Sequence, residues 1–272
     1  MSCKAGEVVV VLGEESSGKT RLLTAVGEIL ASPTKSSRST ILARGKILVG
    51  GVESSQWSPS ELKRKAGVLF NDMQALSDVS QLHSGSSLHD ILRPTGIGRN
   101  HEGAIRSAVE TASEFTGLSK KIIPRLPQNL DTIVTANEDD LKNRNQEVVL
   151  LSKTEWAKVL LTKVIAQTLL DNDNSMASPN SVSKSLVGSI LLLDDVTNYL
   201  NEIEEIQFIK SLKSSGAASI ITSKRWAIGR FADKIVVMKN GSVVERGTHS
   251  ELMEKGSDNS LYASQWAQIM LQ

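Results

Sequence analysis

The 272-residue chain predicts an α/β fold: a parallel sheet with helices, a helical insert in the middle, and a closing β-hairpin followed by helices. Three observations predict it. Short, wholly apolar, β-branched runs recur in the first and last thirds and alternate with helix-compatible stretches, as buried parallel strands do. The middle third is polar and helical in tone. Asn240-Gly241 sits between two strand-like runs, a strong short-range hairpin signal. The expected organisation is a core from residues 1–71 and 186–272, interrupted by a helical subdomain at 72–185.

Each element follows from local composition. EVVVVLG, residues 7–13, is apolar and β-branched, a buried strand. Residues 19–30 are helix-compatible, and the Ser/Pro/Thr-rich ASPTKSSRST after them is a loop. GKILVGG at 45–51 is a strand candidate, SPSELKRK a short helix opened by Ser-Pro, and AGVLF at 66–70 another strand. HEGAIRSAVETASEFTGL at 101–118 places Ile105, Ala108, Val109, Ala112 and Phe115 on one helical face. A second helix over 152–170 carries Trp156, Val159, Leu160, Lys163 and Val164. DNDNSMASPNSVSKS is low in complexity, so 171–188 is expected to be a flexible loop. The β/α rhythm returns with SILLLD at 189–194, an amphipathic helix at 201–213, ASIIT at 218–222 and the hairpin at 234–247. Two short helices, HSELMEK and SLYASQWAQIML, close the chain. Thr248 caps the first of these and Glu251 completes a capping box.

Composition excludes several classes. Apolar residues make up 40% and charged residues 22%, as in ordinary globular proteins. A net charge of +1 provides no basic field, so no nucleic-acid partner is expected. Cys3 is the single cysteine, which forbids an internal disulfide and fits a reducing compartment. No apolar run approaches the ~20 residues of a membrane helix, and MSCKAGE lacks a signal-peptide core. The chain is therefore expected to be soluble, with any membrane link supplied by a partner. His83, His89, His101 and His249 have no metal-like spacing. The four tryptophans are scattered, which favours packing roles, with Trp156 also placed to shape a partner contact.

The chemistry-bearing pattern is Gly13-x4-Gly18-Lys19-Thr20, between a strand and a helix. Glycines let the backbone curl so that N–H groups point inward at anionic oxygens, and the helix N-terminus adds its positive dipole end. Such a loop binds nucleotide phosphates. Ser16, Ser17, Gly18 and Arg21 line it, Lys19 reaches the β- and γ-phosphates, and the Thr20 hydroxyl ligates Mg²⁺. Asp194, ending the apolar strand ILLLD, supplies the second half of a Mg²⁺ site. Glu14 and Glu15 are expected to point away from the phosphates.

With these residues in place, the chain resembles the nucleotide-binding domain of ABC transporters, exporter type, over nearly its whole length. KAGEVVVVLGEESSGKT is similar to the family's first core strand and Walker A loop. GKILVGGVESSQWSPSELKRKAGVLFND resembles the segment leading to the Q-loop. LPQNLDTIV resembles the approach to the signature motif, and ILLLDDVTNYLN resembles Walker B and the D-loop. RFADKIVVMKNGSVVERGTHSELME is very similar to the closing hairpin and helix. The resemblance implies a P-loop NTPase core, MgATP as ligand, and head-to-tail pairing with a second nucleotide-binding domain, identical or different. It also implies transmembrane domains on another chain or another segment, at the cytoplasmic face of a membrane.

Departures from the family pattern bear on chemistry. Asn71 stands where the Q-loop glutamine is expected. The LSGGQ signature, which grips the partner-bound γ-phosphate, reads Leu151-Ser152-Lys153-Thr154-Glu155; Ser152 remains, both glycines are gone, and Glu155 adds an anion expected to face phosphate. Asp195 replaces the glutamate that orients the attacking water. Lys224 replaces the switch histidine, and Asn201 the D-loop aspartate. The family's upstream strands and adenine-stacking aromatic precede the residues matched here, so weaker, less base-selective nucleotide binding is expected unless a preceding segment or another chain supplies the ring. Asp195 and Lys224 weaken the site on this cradle and Lys153-Thr154-Glu155 the site on a partner's cradle, so a vigorous homodimeric ATPase is not expected. Two readings remain: an ABC-type ATPase driving transport slowly or with a partner's help, and a non-hydrolysing, ATP-holding regulatory subunit without a transport role. A soluble P-loop kinase or GTPase is disfavoured, because no guanine-recognition motif is present and the closing hairpin does not belong there.

Overall fold

The computed structural model describes residues 1–31, 45–69, 86–95, 101–136, 147–172 and 186–271. They fall into two compact units: Met1–Phe70, Val187–Asn198 and Glu205–Gln272 form one, Asn71–Leu186 and Tyr199–Glu204 the other.

The first unit is built on a six-stranded sheet. Its strands are β1 (Val8–Leu12), β4 (Ala66–Leu69), β8 (Ile190–Asp194), β9 (Ala218–Ser223), β10 (Lys234–Lys239) and β11 (Ser242–Gly247), in the order β11-β10-β1-β9-β8-β4. The first five run parallel; β11 lies antiparallel on the edge. All five residues of β1 are buried, as its unbroken apolar sequence requires of a strand covered on both faces. The β10–β11 turn uses Asn240 at φ 50° and Gly241 at φ 77°, the left-handed pair that a tight hairpin of this kind demands.

Helix α1 (Lys19–Ala31) contributes Leu23 and Leu30 to the core beside Val9, Val11, Leu192, Ile220, Val236 and Met238. Helix α2 (Pro59–Lys65) starts at a capping box between Ser58 and Glu61 and buries Leu62 in the same core.

Residues 45–51 differ from the single expected strand. They belong to a small antiparallel pair, β2 (Leu48–Val49) with β3 (Val52–Glu53). Gly50 and Gly51, at φ 60° and 82°, turn the chain back on itself, a conformation only glycine adopts without penalty.

The second unit is mainly helical. It contains α3 (Leu88–Leu92), α4 (Glu102–Thr116), α5 (Leu118–Lys121) and α6 (Lys153–Asn172), with a three-stranded sheet of β5 (Ser86–Ser87), β6 (Ile133–Thr135) and β7 (Val148–Leu150). On α4 the expected face is buried at Ile105, Ala108, Val109 and Ala112, while Phe115 is half-buried.

On α6 the buried residues include Trp156, Val159, Leu161, Ile165, Ala166 and Leu169; Leu160, Lys163 and Val164 are half-buried. The helix is enclosed on much of its circumference. Thr162 and Thr168 tolerate this because their hydroxyls donate to the carbonyls of Lys158 (2.7 Å) and Val164 (2.8 Å). Trp156 is thus a packing residue, only 3% exposed, rather than a surface for a partner.

Helix α6 also runs two residues into the expected loop. Gln167 Nε2 donates to both carboxylate oxygens of Asp171 at 3.0 Å, one helical turn on. The rest of the expected loop, apart from residues 186–188, lies outside the described residues. Among the described residues no helix is long and apolar enough to cross a membrane.

Candidate functional site

β1 delivers the chain into the Gly13–Gly18 loop, and α1 begins at Lys19. Two features force the loop's shape. A Cβ on Gly13 would lie 2.4 Å from the Met238 carbonyl oxygen and 2.6 Å from Ser17 Oγ, so no side chain fits. Gly241 of the distant hairpin donates its N–H to the Ser17 carbonyl at 3.0 Å and braces the loop from outside. Ser16 is held at φ 60°, a left-handed conformation uncommon for a residue with a side chain.

Lys19 is only 5% exposed. Its ammonium donates to the carbonyls of Gly13 (2.8 Å) and Glu14 (2.7 Å) and to Ser17 Oγ (3.2 Å), which uses its three N–H bonds within the loop. Burial holds its pKa below the ordinary lysine value, against the pull of Asp195.

The carboxylates arrive from the sheet. β8 ends at Asp194, which pairs in register with Thr222 of β9. The Thr20 hydroxyl donates to Asp194 Oδ1 at 3.1 Å, and the Thr222 hydroxyl donates to the same oxygen at 2.5 Å. Thr222 in turn accepts the Asp195 N–H on its Oγ1 at 2.9 Å. One threonine therefore fixes both aspartates, a role that sequence reading missed because it depends on the β8–β9 register.

Asp195 sits at φ 51° and is 6% exposed. Its Oδ1 is buried without a hydrogen-bond partner. Burial, then the charge of Asp194, push its pKa above the ordinary carboxylate value, while Lys19 and Lys224 oppose them. Buried polar atoms are nearly always satisfied, so this carboxylate oxygen is a candidate acceptor for a further donor.

Thr20 and Asp194 offer a hydroxyl and a carboxylate, the oxygen donors that Mg²⁺ prefers alongside phosphate oxygens and water. Among the described residues no group of three or more His, Cys, Asp or Glu side chains is arranged to hold a metal alone. The donor set thus fits a Mg²⁺ that arrives with a phosphate ligand.

Lys224 and Glu15 depart from expectation together. Lys224 Nζ lies 2.8 Å from Glu15 Oε1, so Glu15 does not simply point away: it reaches across to the end of β9. The hydrogen bond to Glu15 raises the Lys224 pKa and the same bond lowers that of Glu15. Arg21 is exposed on the first turn of α1.

Ser152 belongs to the second unit, just before α6. The Glu155 carboxylate accepts both the Ser152 N–H and the Ser152 hydroxyl at 2.8 Å, while Glu155 N–H approaches Ser152 Oγ at 3.4 Å. This is a capping box. The other Glu155 oxygen accepts from Arg125. Burial alone would raise the Glu155 pKa, but the bonds from Ser152 and Arg125 outweigh it and hold it below the ordinary value. Glu155 is therefore turned onto its own helix start, not outward as an anion facing phosphate. Asn71 lies outside the described residues.

No family model matches the chain. It is 24% identical over 271 residues to the ABC transporter ATP-binding protein YfiC of Bacillus subtilis, covering 96% of this chain and 35% of that protein. It is 25% identical over 253 residues to an ATP-dependent lipid A-core flippase of Aromatoleum aromaticum, covering 92% of this chain and 33% of the flippase. Against the alpha-hemolysin translocation ATP-binding protein HlyB of Escherichia coli it is 23% identical over 270 residues, 97% of this chain and 30% of HlyB. Its homologues are ABC transporter ATP-binding proteins of the exporter type. Among solved structures, a bacterial Atm1-family ABC exporter with ATP bound superposes with a TM-score of 0.63 at 22% identity, covering 98% of this chain and 38% of that one. The chain therefore shares its α/β fold with 38% of that exporter chain. The chain spans about a third of the length of the curated relatives it matches.

Proposed function

We propose that this chain is the ATP-binding domain of an ABC-type transporter, which binds MgATP, pairs with a second nucleotide-binding domain and couples that pairing to transmembrane domains, with weak or partner-dependent ATP hydrolysis. The observation that carries the reading is the 3.1 Å hydrogen bond from Thr20 to Asp194, which joins loop and strand end across 174 positions of sequence. Two segments that resemble Walker A and Walker B meet at this bond.

In this reading the loop N–H groups of Ser16, Ser17 and Gly18, the start of α1 to Arg21, and Lys19 hold the phosphates. Thr20 and Asp194 hold Mg²⁺, which when bound neutralises phosphate charge. The free Oδ1 of Asp195 accepts a hydrogen bond from an attacking water, over a shorter reach than a glutamate would have. By resemblance Asn71 joins this set and Ser152 serves the nucleotide on a partner's cradle, and the domain sits at the cytoplasmic face of a membrane through its partner.

A second reading, an ATP-holding subunit that neither hydrolyses nor transports, is favoured by one observation: the Ser152 hydroxyl is bound to Glu155 and offers a partner's nucleotide little.

Turnover of radiolabelled MgATP by the purified chain separates the readings. Slow turnover that disappears in Lys19→Ala, or turnover gained only with a partner domain, supports the first. Rapid turnover by the chain alone contradicts the weak-hydrolysis part of the proposal.

A further inference from the structure

The geometry points to Glu15 as an internal competitor of the terminal phosphate: it holds Lys224 until a nucleoside triphosphate displaces it, and so sets the preference between tri- and diphosphate. The inference rests on the nucleotide-binding reading above.

The charges at the cradle carry the argument. The groups in electrostatic reach of Lys19 are Asp195, Lys224, Asp194 and Glu15. Lys19 and Lys224 supply two positive charges, against three carboxylates when all are ionised. Glu15 tips that sum to the negative side, which is the wrong sign for a site that takes a polyanion.

Glu15 is also the member of the set free to leave. Its side chain is 81% exposed, and its ion pair with Lys224 (2.8 Å) is open to solvent, a class of pair that contributes little stability. Asp194 is fixed by two threonines, and Asp195 is buried. Lys224 is 44% exposed and can follow an incoming anion. A terminal phosphate carries more charge than one carboxylate and presents several oxygens, so it competes well for the ammonium. Binding then exchanges one partner of Lys224 for another, and the Glu15 carboxylate turns out into water. A diphosphate without that group leaves the Glu15–Lys224 pair in place.

Calorimetric titration of the purified chain with MgATP and MgADP tests this in wild type, Glu15→Gln, Lys224→Gln and the double variant, with Lys19→Ala in the wild-type and Glu15→Gln backgrounds as the binding control. Thermal melting serves as the check on folding. Because Glu15 is exposed and its pair is weak, all four chains are expected to fold. Glu15→Gln is expected to tighten MgATP about fivefold and MgADP less than about twofold, since one repelling charge and one competitor are removed. In the Lys224→Gln background the same change is expected to tighten MgATP less than about twofold, because the competition is gone.

Equal tightening of both nucleotides would overturn the inference, as would equal tightening with and without Lys224. In either case nucleotide binding that depends on Lys19 would still stand. Absence of Lys19-dependent binding in wild type and Glu15→Gln alike would overturn the nucleotide reading and this inference together.

Discussion

Helices α1 and α6 both begin after a serine-bearing turn, and the two turns are left in opposite states. Before α1 the loop keeps Ser16 in a left-handed conformation, buries Lys19 and sits beside the unpaired Oδ1 of Asp195. Before α6 the Ser152 turn is closed on itself: its N–H and hydroxyl go to Glu155, and Glu155 goes on to Arg125. Backbone strain and an orphaned buried oxygen persist in a fold only where the surroundings over-determine them, and they gather at functional sites. A satisfied capping box is ordinary helix chemistry. The turn before α1 thus keeps strain and an unpaired buried oxygen, whereas the turn before α6 has satisfied its polar groups internally.

The largest expected effect breaks the α1 side. Gly13→Ala drives a Cβ to 2.4 Å from the Met238 carbonyl, so the loop and the β10 strand must part. Stability is expected to fall by about 2–3 kcal/mol in chemical denaturation. A variant within about 0.5 kcal/mol of wild type would mean that the loop is not clamped by the hairpin.

On the α6 side the effects are smaller. Glu155→Gln removes the charged half of the capping box and the Arg125 pair, with an expected loss of about 1 kcal/mol. The pH dependence has a definite sign. The folded pKa of Glu155 lies below its unfolded value. Its contribution is therefore complete above the unfolded value and lost as pH falls through the folded one. Wild type and variant are expected to converge in acid; a gap that persists unchanged there would remove the electrostatic account of this turn.

The smallest expected effect sharpens the contrast. Ser152→Ala is expected to lower stability by no more than about 1 kcal/mol and to leave MgATP retention by the isolated chain within about twofold. A large loss of retention would place Ser152 in this chain's own site.

Much of the fold was legible because strong local signals had no competitor. The apolar runs gave β1 and β8, the short ASIIT run gave β9, and Asn240-Gly241 gave the β10–β11 hairpin. The Gly50-Gly51 turn was read as strand because two-residue strands carry no periodicity. The extent of burial around α6 could not be read, because threonines that bond back to their own helix can go inside, which no apolar pattern reveals. At the site the loop and Asp194 could be named from spacing. Thr222 could not, because its position opposite Asp194 exists only once β8 and β9 are paired. The Glu15–Lys224 contact spans 209 positions, and no local pattern in the sequence pairs these two charges.

Retention of radiolabelled MgATP by wild type and by Lys19→Ala, measured on the purified chain by equilibrium dialysis, tests the central claim most directly. Lys19 places its ammonium among the loop carbonyls at 2.7–2.8 Å, where it would meet phosphate. Wild type is expected to retain the nucleotide clearly and the variant to lose about 100-fold in affinity, near 3 kcal/mol. Equal retention by the two proteins would contradict it, because the loop before α1 would then not be where this chain holds its nucleotide.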